Sequence, residues 1–258
     1  KKIFKNFSDY KNYFKNHNHP IWHEVKNKIL SFNPEWVGYT SYTANISAIK
    51  IISDKIKEVD PNIKQVVGGV HATLDKNLLN TLTSIDFSVQ REGEEAMLDL
   101  VENKDPKNII GVISRNKNEL NYTGIAPIIK DIDNLPFPER EKFWNIPDNE
   151  KANVDVSYIN TIRGCPYKCT YCASPFHWDR KTTRLRSPQS VIDEMIHLKE
   201  NHWNAVKFDY SASANISDKD SLKIQDNTIV YFVDDVFTVH KKRVKELLRM
   251  MIKENLVK

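Results

Sequence analysis

Residues 36–69 are WVGYTSYTANISAIKIISDKIKEVDPNIKQVVGG, and this stretch decides the fold class. Its two ends, residues 36–40 and 63–67, are short apolar runs that predict β-strands. Between them, a helix with one buried face is predicted from isoleucines that recur at helical spacing, namely Ile46, Ile49, Ile52 and Ile56. Pro61 ends this helix. A strand, a helix and a second strand in this order indicate a parallel sheet that is covered by helices.

The same alternation continues toward residue 125. Residues 85–89 predict a third strand, and the helix after it has an apolar side formed by Ala96, Met97, Leu100 and Val101. We therefore expect an α/β domain with an open, doubly wound, Rossmann-like parallel sheet over residues 33–125. Residues 1–32 are polar and aromatic with little periodicity, and they predict a helical or irregular lead-in segment.

A linker and a second domain are expected to follow. Residues 126–152 form a polar stretch that is interrupted by four prolines, Pro127, Pro136, Pro138 and Pro147, which is typical of a linker. In the second domain, residues 153–258, the segments 156–162 and 229–233 predict strands. Val206, Phe208 and Tyr210 alternate with polar residues in a shorter strand-like stretch.

Two helices are predicted in this second domain. The first begins with Ser187 as a plausible N-cap and Pro188 in the first turn. The last helix has apolar residues at helical spacing, namely Val244, Leu247, Leu248, Met251 and Ile252.

Composition narrows the classes of function. The chain has a mild net charge of +4 with scattered lysines, so a nucleic-acid partner is not expected. No apolar run approaches the roughly 20 residues of a membrane span, and no secretory signal is present, so we expect a cytoplasmic protein. All three cysteines of the 258 residues fall within positions 165–172, which is a poor disulfide framework and suits metal-binding thiolates.

The cysteines have the spacing C-x3-C-x2-C at Cys165, Cys169 and Cys172, directly after a predicted strand. A compact loop of this kind can place three thiolates around three corners of an iron–sulfur cube, and the fourth iron then lacks a cysteine ligand. Spacing alone leaves two alternatives. His177 could complete a structural Cys3His zinc site, or the three thiols could be unligated.

The segment from Gly164 to Cys172 resembles the signature of the radical S-adenosylmethionine (SAM) superfamily, including the aromatic Tyr171 before the last cysteine. The resemblance implies that SAM chelates the open iron of a [4Fe–4S] cluster and that Tyr171 belongs to the SAM-binding region. It further implies that one electron, delivered by an external flavodoxin- or ferredoxin-type reductant, cleaves SAM to methionine and a deoxyadenosyl radical. The expected fold is the first part of a partial (β/α)6 TIM-type barrel.

A second match lies at residues 232–237, FVDDVF, which is similar to an element of one large radical SAM branch. In that family an acidic or polar residue at this place contacts the SAM amino group, and Asp234 or Asp235 could do so here. The alternative is an exposed acidic pair that caps the following helix. Arg184 and Arg186 are candidates for carboxylate binding or for an ordinary surface position.

That branch carries a cobalamin-binding domain ahead of the radical SAM domain, and three stretches resemble it in order: residues 37–43, 67–73 and 91–94. Ligands of open α/β sheets bind at the carboxyl ends of the strands, and glycine lets backbone approach a bulky ligand. The cobalamin contacts expected from this resemblance are Ser41, Thr43, Gly68, Gly69, Glu92 and Gly93. The family's D-x-H-x-x-G motif is absent from the sequence, and His71 is a weak substitute for its histidine.

The sequence thus predicts a radical SAM enzyme that is cobalamin-dependent and transfers a methyl group to an unactivated centre of a small-molecule substrate. One alternative is a radical SAM enzyme with a vestigial cobalamin domain that performs cyclisation or other radical chemistry. A zinc-stabilised α/β binding module is the alternative of another class. Because a complete barrel has about six strand–helix units, we also expect the chain to be a fragment that does not turn over alone.

Overall fold

The protein is described by a computed structural model, which covers residues 16–116, 119–139, 156–174, 183–201 and 229–257. The chain divides into two compact units. The first comprises residues 1–129 and 169–179, and the second comprises residues 130–168 and 180–258.

The first unit is built on a five-stranded sheet in the order β1-β2-β3-β4-β5. Its strands are β1 (Trp36–Thr40), β2 (Lys64–Gly68), β3 (Phe87–Val89), β4 (Val112–Asn116) and β5 (Glu119–Tyr122). The first three strands are parallel, as predicted, but β4 runs antiparallel to β3, and β5 runs antiparallel to β4. The expectation of a wholly parallel sheet is therefore wrong at this edge. β4 and β5 follow each other too closely for a parallel crossover, which needs a dozen or more residues.

Among the described residues of the first unit there are five helices: α1 (Pro20–Leu30), α2 (Ile46–Val59), α3 (Val70–Leu74), α4 (Leu78–Thr81) and α5 (Glu94–Val101). They cover both faces of the sheet. Neighbouring residues of β2 point to opposite sides, so each face packs against a different set of helices. Val67 packs with Ile49 of α2 and Leu79 of α4. Val66 packs with Ala96 and Leu100 of α5. The doubly wound arrangement is thus observed. Two short 3-10 turns, Thr43–Asn45 and Pro106–Asn108, complete the unit.

The segment predicted as a lead-in contributes to this core. Trp22 of α1 is buried and packs in one cluster with Val37 of β1 and Ile52 and Ile56 of α2. His19 caps α1, because its side chain accepts a hydrogen bond from the backbone N–H of Ile21. Residues 20–30 are therefore structurally part of the α/β unit.

The described residues of the second unit form two small sheets. In the first, β6 (Val156–Ile159) pairs in parallel with β9 (Ile229–Phe232). In the second, β7 (Ile162–Arg163) pairs antiparallel with β8 (Arg184–Leu185). Two helices, α6 (Pro188–Asn201) and α7 (Lys241–Lys253), pack on β6 through Ile159, Met195 and Leu247, all of which are buried. Short 3-10 turns lie at Ile132–Asn134 and Phe237–Val239.

Local sequence explains where the elements of the second unit begin. Ser187 caps α6 as predicted, since its hydroxyl accepts a hydrogen bond from the Ser190 N–H at 3.1 Å. The strand predicted over residues 156–162 is divided into β6 and β7, and Asn160 and Thr161 lie between them. The strand-like stretch at residues 206–210 lies outside the described residues. Across the described parts of the chain, no helix is both long and apolar enough to cross a membrane.

Candidate cofactor sites

A groove of about 370 Å³ opens at the carboxyl ends of the first three strands of the first unit. The register of β1 and β2 pairs Gly38 with Val66 and Thr40 with Gly68, so these four residues face the same side of the sheet. Gly38 and Gly68 have no side chain to cover this face, and the groove lies above them. Its lining residues are Gly38, Tyr39, Thr40, Val66, Gly68, Gly69, Val89, Arg91, Gly93 and Met97.

The glycines of this groove fall into two kinds. Gly69 has φ of +94°, and a Cβ there would lie 3.0 Å from both the N and O atoms of Ser41, so the fold itself requires glycine. A Cβ at Gly38, Gly68 or Gly93 would meet its nearest atom at 3.9, 3.6 and 3.4 Å, which is ordinary contact. The fold therefore does not require glycine at these three positions. Their missing side chains leave room for a ligand against the backbone.

Ser41 lies beneath the groove. Its side chain is buried, and its hydroxyl donates to the Gly68 carbonyl at 2.7 Å and accepts from the Ala72 N–H at 3.0 Å. Its own N–H donates to the same Gly68 carbonyl at 2.7 Å. These bonds tie the end of β1 to the start of α3. The structure thus gives Ser41 the role of holding the Gly68-Gly69 turn.

Thr43 and Glu92 lie near the groove but do not line it. Thr43 is exposed, and its hydroxyl is 3.0 Å from Nδ1 of His71. Glu92 is buried, and its carboxylate accepts from the Ile129 N–H at 2.7 Å. It lines a separate small cavity together with Ala126. Of the predicted cobalamin contacts, Gly68, Gly69 and Gly93 are therefore the ones placed on the groove.

Sequence reasoning missed seven of the ten groove residues, namely Gly38, Tyr39, Thr40, Val66, Val89, Arg91 and Met97. Gly38 could have been found from the strand period, because Gly38 and Thr40 share one face of β1. Met97 was assigned to the apolar side of α5, where it also packs on the core cluster. Arg91 has a left-handed backbone with φ of +58°, and the sequence does not predict this because arginine does not favour that conformation.

In the second unit, Asp234 follows β9 and holds the chain that leads to the cysteines. One carboxylate oxygen accepts from the N–H groups of Thr161 and Ile162 at 2.6 and 2.8 Å. The other accepts from the Thr161 hydroxyl at 2.7 Å. Both oxygens are thus used by the segment between β6 and β7. Asp235, the next residue, is exposed.

Arg243 of α7 binds the same segment from the other side. Its Nη2 donates to the Thr161 carbonyl at 3.1 Å, and its Nε donates to the Arg186 carbonyl at 2.7 Å. Burial lowers the pKa of the Arg243 guanidinium, and the negative charge of Asp234 opposes that shift. Thr161 is fully buried; its N–H donates to Asp234, and its carbonyl accepts from Arg243 and from the Arg186 N–H at 3.0 Å.

Arg184 and Arg186 are both buried, so the alternative of an ordinary surface position is wrong for them. Arg186 forms an ion pair with Glu194 of α6, which is 1% exposed. It also donates to the Ser190 carbonyl at 2.9 Å and to the Asn160 carbonyl at 3.2 Å. The Arg186 guanidinium therefore stabilises the start of α6.

The cysteine loop follows β7 through Gly164, which has φ of +100°. Cys165 and Cys172 are half-buried, Cys169 is exposed, and none of the three forms a disulfide. Tyr171 is 91% exposed. Within the described residues, no three His, Cys, Asp or Glu side chains are grouped to hold a metal ion, so the cluster remains a prediction. As a donor set, three free thiols suit iron–sulfur ligation. His177, the fourth ligand of the zinc alternative, lies outside the described residues.

Comparison with known proteins bears on both sites. Residues 9–101 match the family described as the B12 binding domain. The chain is 30% identical over 191 residues to the anaerobic magnesium-protoporphyrin IX monomethyl ester cyclase of Cereibacter sphaeroides, covering 70% of this chain and 31% of the cyclase. It is 25% identical over 240 residues to an uncharacterized methyltransferase of Pyrococcus horikoshii, covering 90% of this chain and 46% of that protein. The chain thus spans less than half the length of either relative.

A solved structure shares the fold. It is the radical SAM methyltransferase TsrM from Kitasatospora setae with cobalamin and a [4Fe–4S] cluster bound, with a TM-score of 0.64 at 18% identity. The match covers 90% of this chain and 44% of that one. Residues 9–101 therefore belong to the B12-binding domain family, and the chain as a whole is similar to proteins of the radical SAM branch that carries this domain.

Proposed function

We propose that this protein is a cobalamin-dependent radical SAM enzyme that transfers a methyl group to an unactivated centre of a small-molecule substrate. The observation that carries the proposal is the loop of three unpaired thiols, with C-x3-C-x2-C spacing, that follows strand β7. In barrel enzymes, catalytic groups come from the carboxyl ends of strands, and the predicted partial (β/α)6 barrel would place this loop there.

The cysteine loop holds the proposed cluster. Cys165, Cys169 and Cys172 would hold such a cluster as thiolates and would leave one iron without a protein thiolate. When bound, the cluster supplies the electron that cleaves SAM, and cobalamin supplies the methyl-carrying cobalt. Asp235, the exposed carboxylate next in the chain, is the residue proposed to accept hydrogen bonds from the SAM amino group, whereas the oxygens of Asp234 bind Thr161 and Ile162. Tyr171 borders the same region.

Cobalamin is proposed to lie on the groove of the first unit. Gly38, Gly68 and Gly93 expose backbone along it, and Gly69 makes the tight turn that closes its edge. Ser41 orients that turn from beneath. Thr43 contacts the His71 side chain and Glu92 binds the Ile129 N–H, and both remain candidate contacts for the corrinoid amides.

The reaction class has two candidates. Methyl transfer is supported by the methyltransferase relative of Pyrococcus horikoshii and by the fold shared with TsrM. Cyclisation is supported by the Cereibacter sphaeroides relative, which is named as a cyclase. A radical SAM enzyme with a vestigial cobalamin domain would lack corrinoid binding, and a zinc-stabilised module would lack the cluster.

Anaerobic reconstitution with iron, sulfide and a reductant tests the proposal. We expect about four irons per chain and an EPR signal of a reduced [4Fe–4S] cluster that changes when SAM is added, because SAM takes the open iron. Hydroxocobalamin added to the same protein should bind and co-elute in gel filtration. One equivalent of zinc with no cluster would support the binding module instead. A SAM-responsive cluster without corrinoid binding would support the vestigial domain.

Filling the groove should weaken cobalamin binding without weakening the fold. Gly38→Val places a branched side chain on the groove face of β1, where its Cβ meets Val66 at 3.9 Å and β-branched residues are favoured. We expect the Kd for hydroxocobalamin to rise at least tenfold, or about 1.4 kcal/mol, with an unchanged Tm. Gly38→Ala should give a smaller increase. Equal Kd values for all three proteins would place cobalamin elsewhere.

A further inference from the structure

Arg91 has a backbone conformation that its residue type disfavours. Its φ of +58° lies in the left-handed region, which glycine and asparagine adopt more readily than arginine. The Thr73 hydroxyl holds this conformation by accepting a hydrogen bond from the Arg91 N–H at 2.8 Å. Thr73 in turn donates to the Gly69 carbonyl at 3.0 Å. The Gly68-Gly69 turn and the turn at Arg91 are therefore joined through one threonine.

Arg91 also lines the groove of the first unit, and its side chain is half-buried. Within the described part of the chain, no carboxylate forms an ion pair with it. The nearest acid in sequence, Glu92, is turned to the Ile129 N–H. Arg91 is thus a half-buried arginine on the groove, held in a costly backbone conformation and paired with no carboxylate among the described residues, and its charge suits an anionic group of a ligand.

We propose that Arg91 binds the phosphodiester of the cobalamin nucleotide tail, and this inference rests on the proposed cobalamin binding. The corrin side chains are neutral amides, and the phosphodiester is the one anionic group of the cofactor periphery. Guanidinium matches a phosphate oxygen pair in geometry as well as in charge. Arg91 thereby selects corrinoids that carry the phosphate over those that lack it.

Arg115 of β4 provides a contrast within the same unit. Its guanidinium donates to the Leu79 carbonyl, so it already has a partner inside the fold. Removing the Arg115 charge should change stability, whereas removing the Arg91 charge should change ligand selection. The two arginines therefore separate a structural effect from a binding effect.

The test compares three corrinoids on the full chain: hydroxocobalamin, cobinamide phosphate, which keeps a phosphate but lacks the base, and cobinamide, which lacks both. Wild-type protein should bind the first two more tightly than cobinamide. Arg91→Gln should raise the Kd of the phosphate-bearing corrinoids roughly tenfold to a hundredfold and leave the Kd of cobinamide unchanged. Arg91→Lys should fall between, because it keeps the charge without the planar fork.

Two control variants separate an effect on stability from an effect on corrinoid binding. Arg91→Gly relieves the backbone strain, so its Tm should be equal to or above that of the wild type while its selectivity is lost. Arg115→Gln should keep the selectivity of the wild type. An equal loss of affinity for all three corrinoids in Arg91→Gln would overturn the phosphate contact and leave cobalamin binding intact. If wild-type protein binds none of the three, the proposed cobalamin binding fails as well.

Discussion

Cys169→Ala is expected to leave the protein without a stable [4Fe–4S] cluster after anaerobic reconstitution. A cubane held by three thiolates loses one of its three protein ligands, and only Cys165 and Cys172 remain in this chain. The expected result is a loss of most of the iron and sulfide, of the brown absorption near 400 nm, and of the SAM-dependent EPR change. Iron analysis and EPR on wild-type and variant protein, reconstituted side by side, measure it.

Thr170→Ala is the matched control, because Thr170 is exposed in the same loop and carries no thiol. It should keep the iron content and EPR signal of the wild type. Circular dichroism should give the same helix content for both variants, since the loop packs in none of the described core clusters. A cluster of normal yield in Cys169→Ala would contradict the assignment of Cys169 as a ligand. Tight zinc binding by wild-type protein, with His177 required, would favour the structural zinc site.

The spacing of apolar residues in the sequence predicted the helices and strands that bury one face. Helix α2 follows the isoleucine spacing, and β1 and β2 lie within one residue of their predicted bounds at nearly every end. The order of Ser187 and Pro188 predicted the start of α6. These features depend on neighbours close in sequence, so the sequence contains the information that specifies them.

The antiparallel pairing of β4 with β3 and the burial of Ser41 and Glu92 could not be predicted in this way. Pairing direction depends on which strand edge remains open, and that is decided by contacts distant in sequence. The resemblance implies a cobalamin contact at Ser41, and that role stays a prediction. In the structure the Ser41 hydroxyl binds the Gly68 carbonyl and the Ala72 N–H, 27 and 31 residues away. A buried polar side chain at such an edge can therefore find its partners in the adjacent turn.

The sequence likewise did not distinguish the roles of Asp234 and Asp235, which follow β9. Substitutions at the two positions test those roles separately. Asp234→Ala is expected to lower the free energy of unfolding by roughly 2–4 kcal/mol, because it leaves the buried N–H groups of Thr161 and Ile162 without an acceptor. Asp234→Asn keeps an oxygen for both N–H groups and should cost about 1 kcal/mol or less. Urea unfolding, followed by tryptophan fluorescence, measures both changes.

Asp235→Asn should have the opposite profile. Asp235 is exposed, so stability should remain within about 0.5 kcal/mol of the wild type, whereas the Kd for SAM should rise tenfold or more as a charge-assisted hydrogen bond is weakened. Titration of the reconstituted EPR signal with SAM measures this Kd. If Asp234→Asn weakens SAM binding and Asp235→Asn does not, then Asp234 contacts SAM and its bonds to Thr161 and Ile162 are secondary. Because Asn keeps those backbone bonds, a loss of SAM binding in Asp234→Asn reports the carboxylate charge and not the fold.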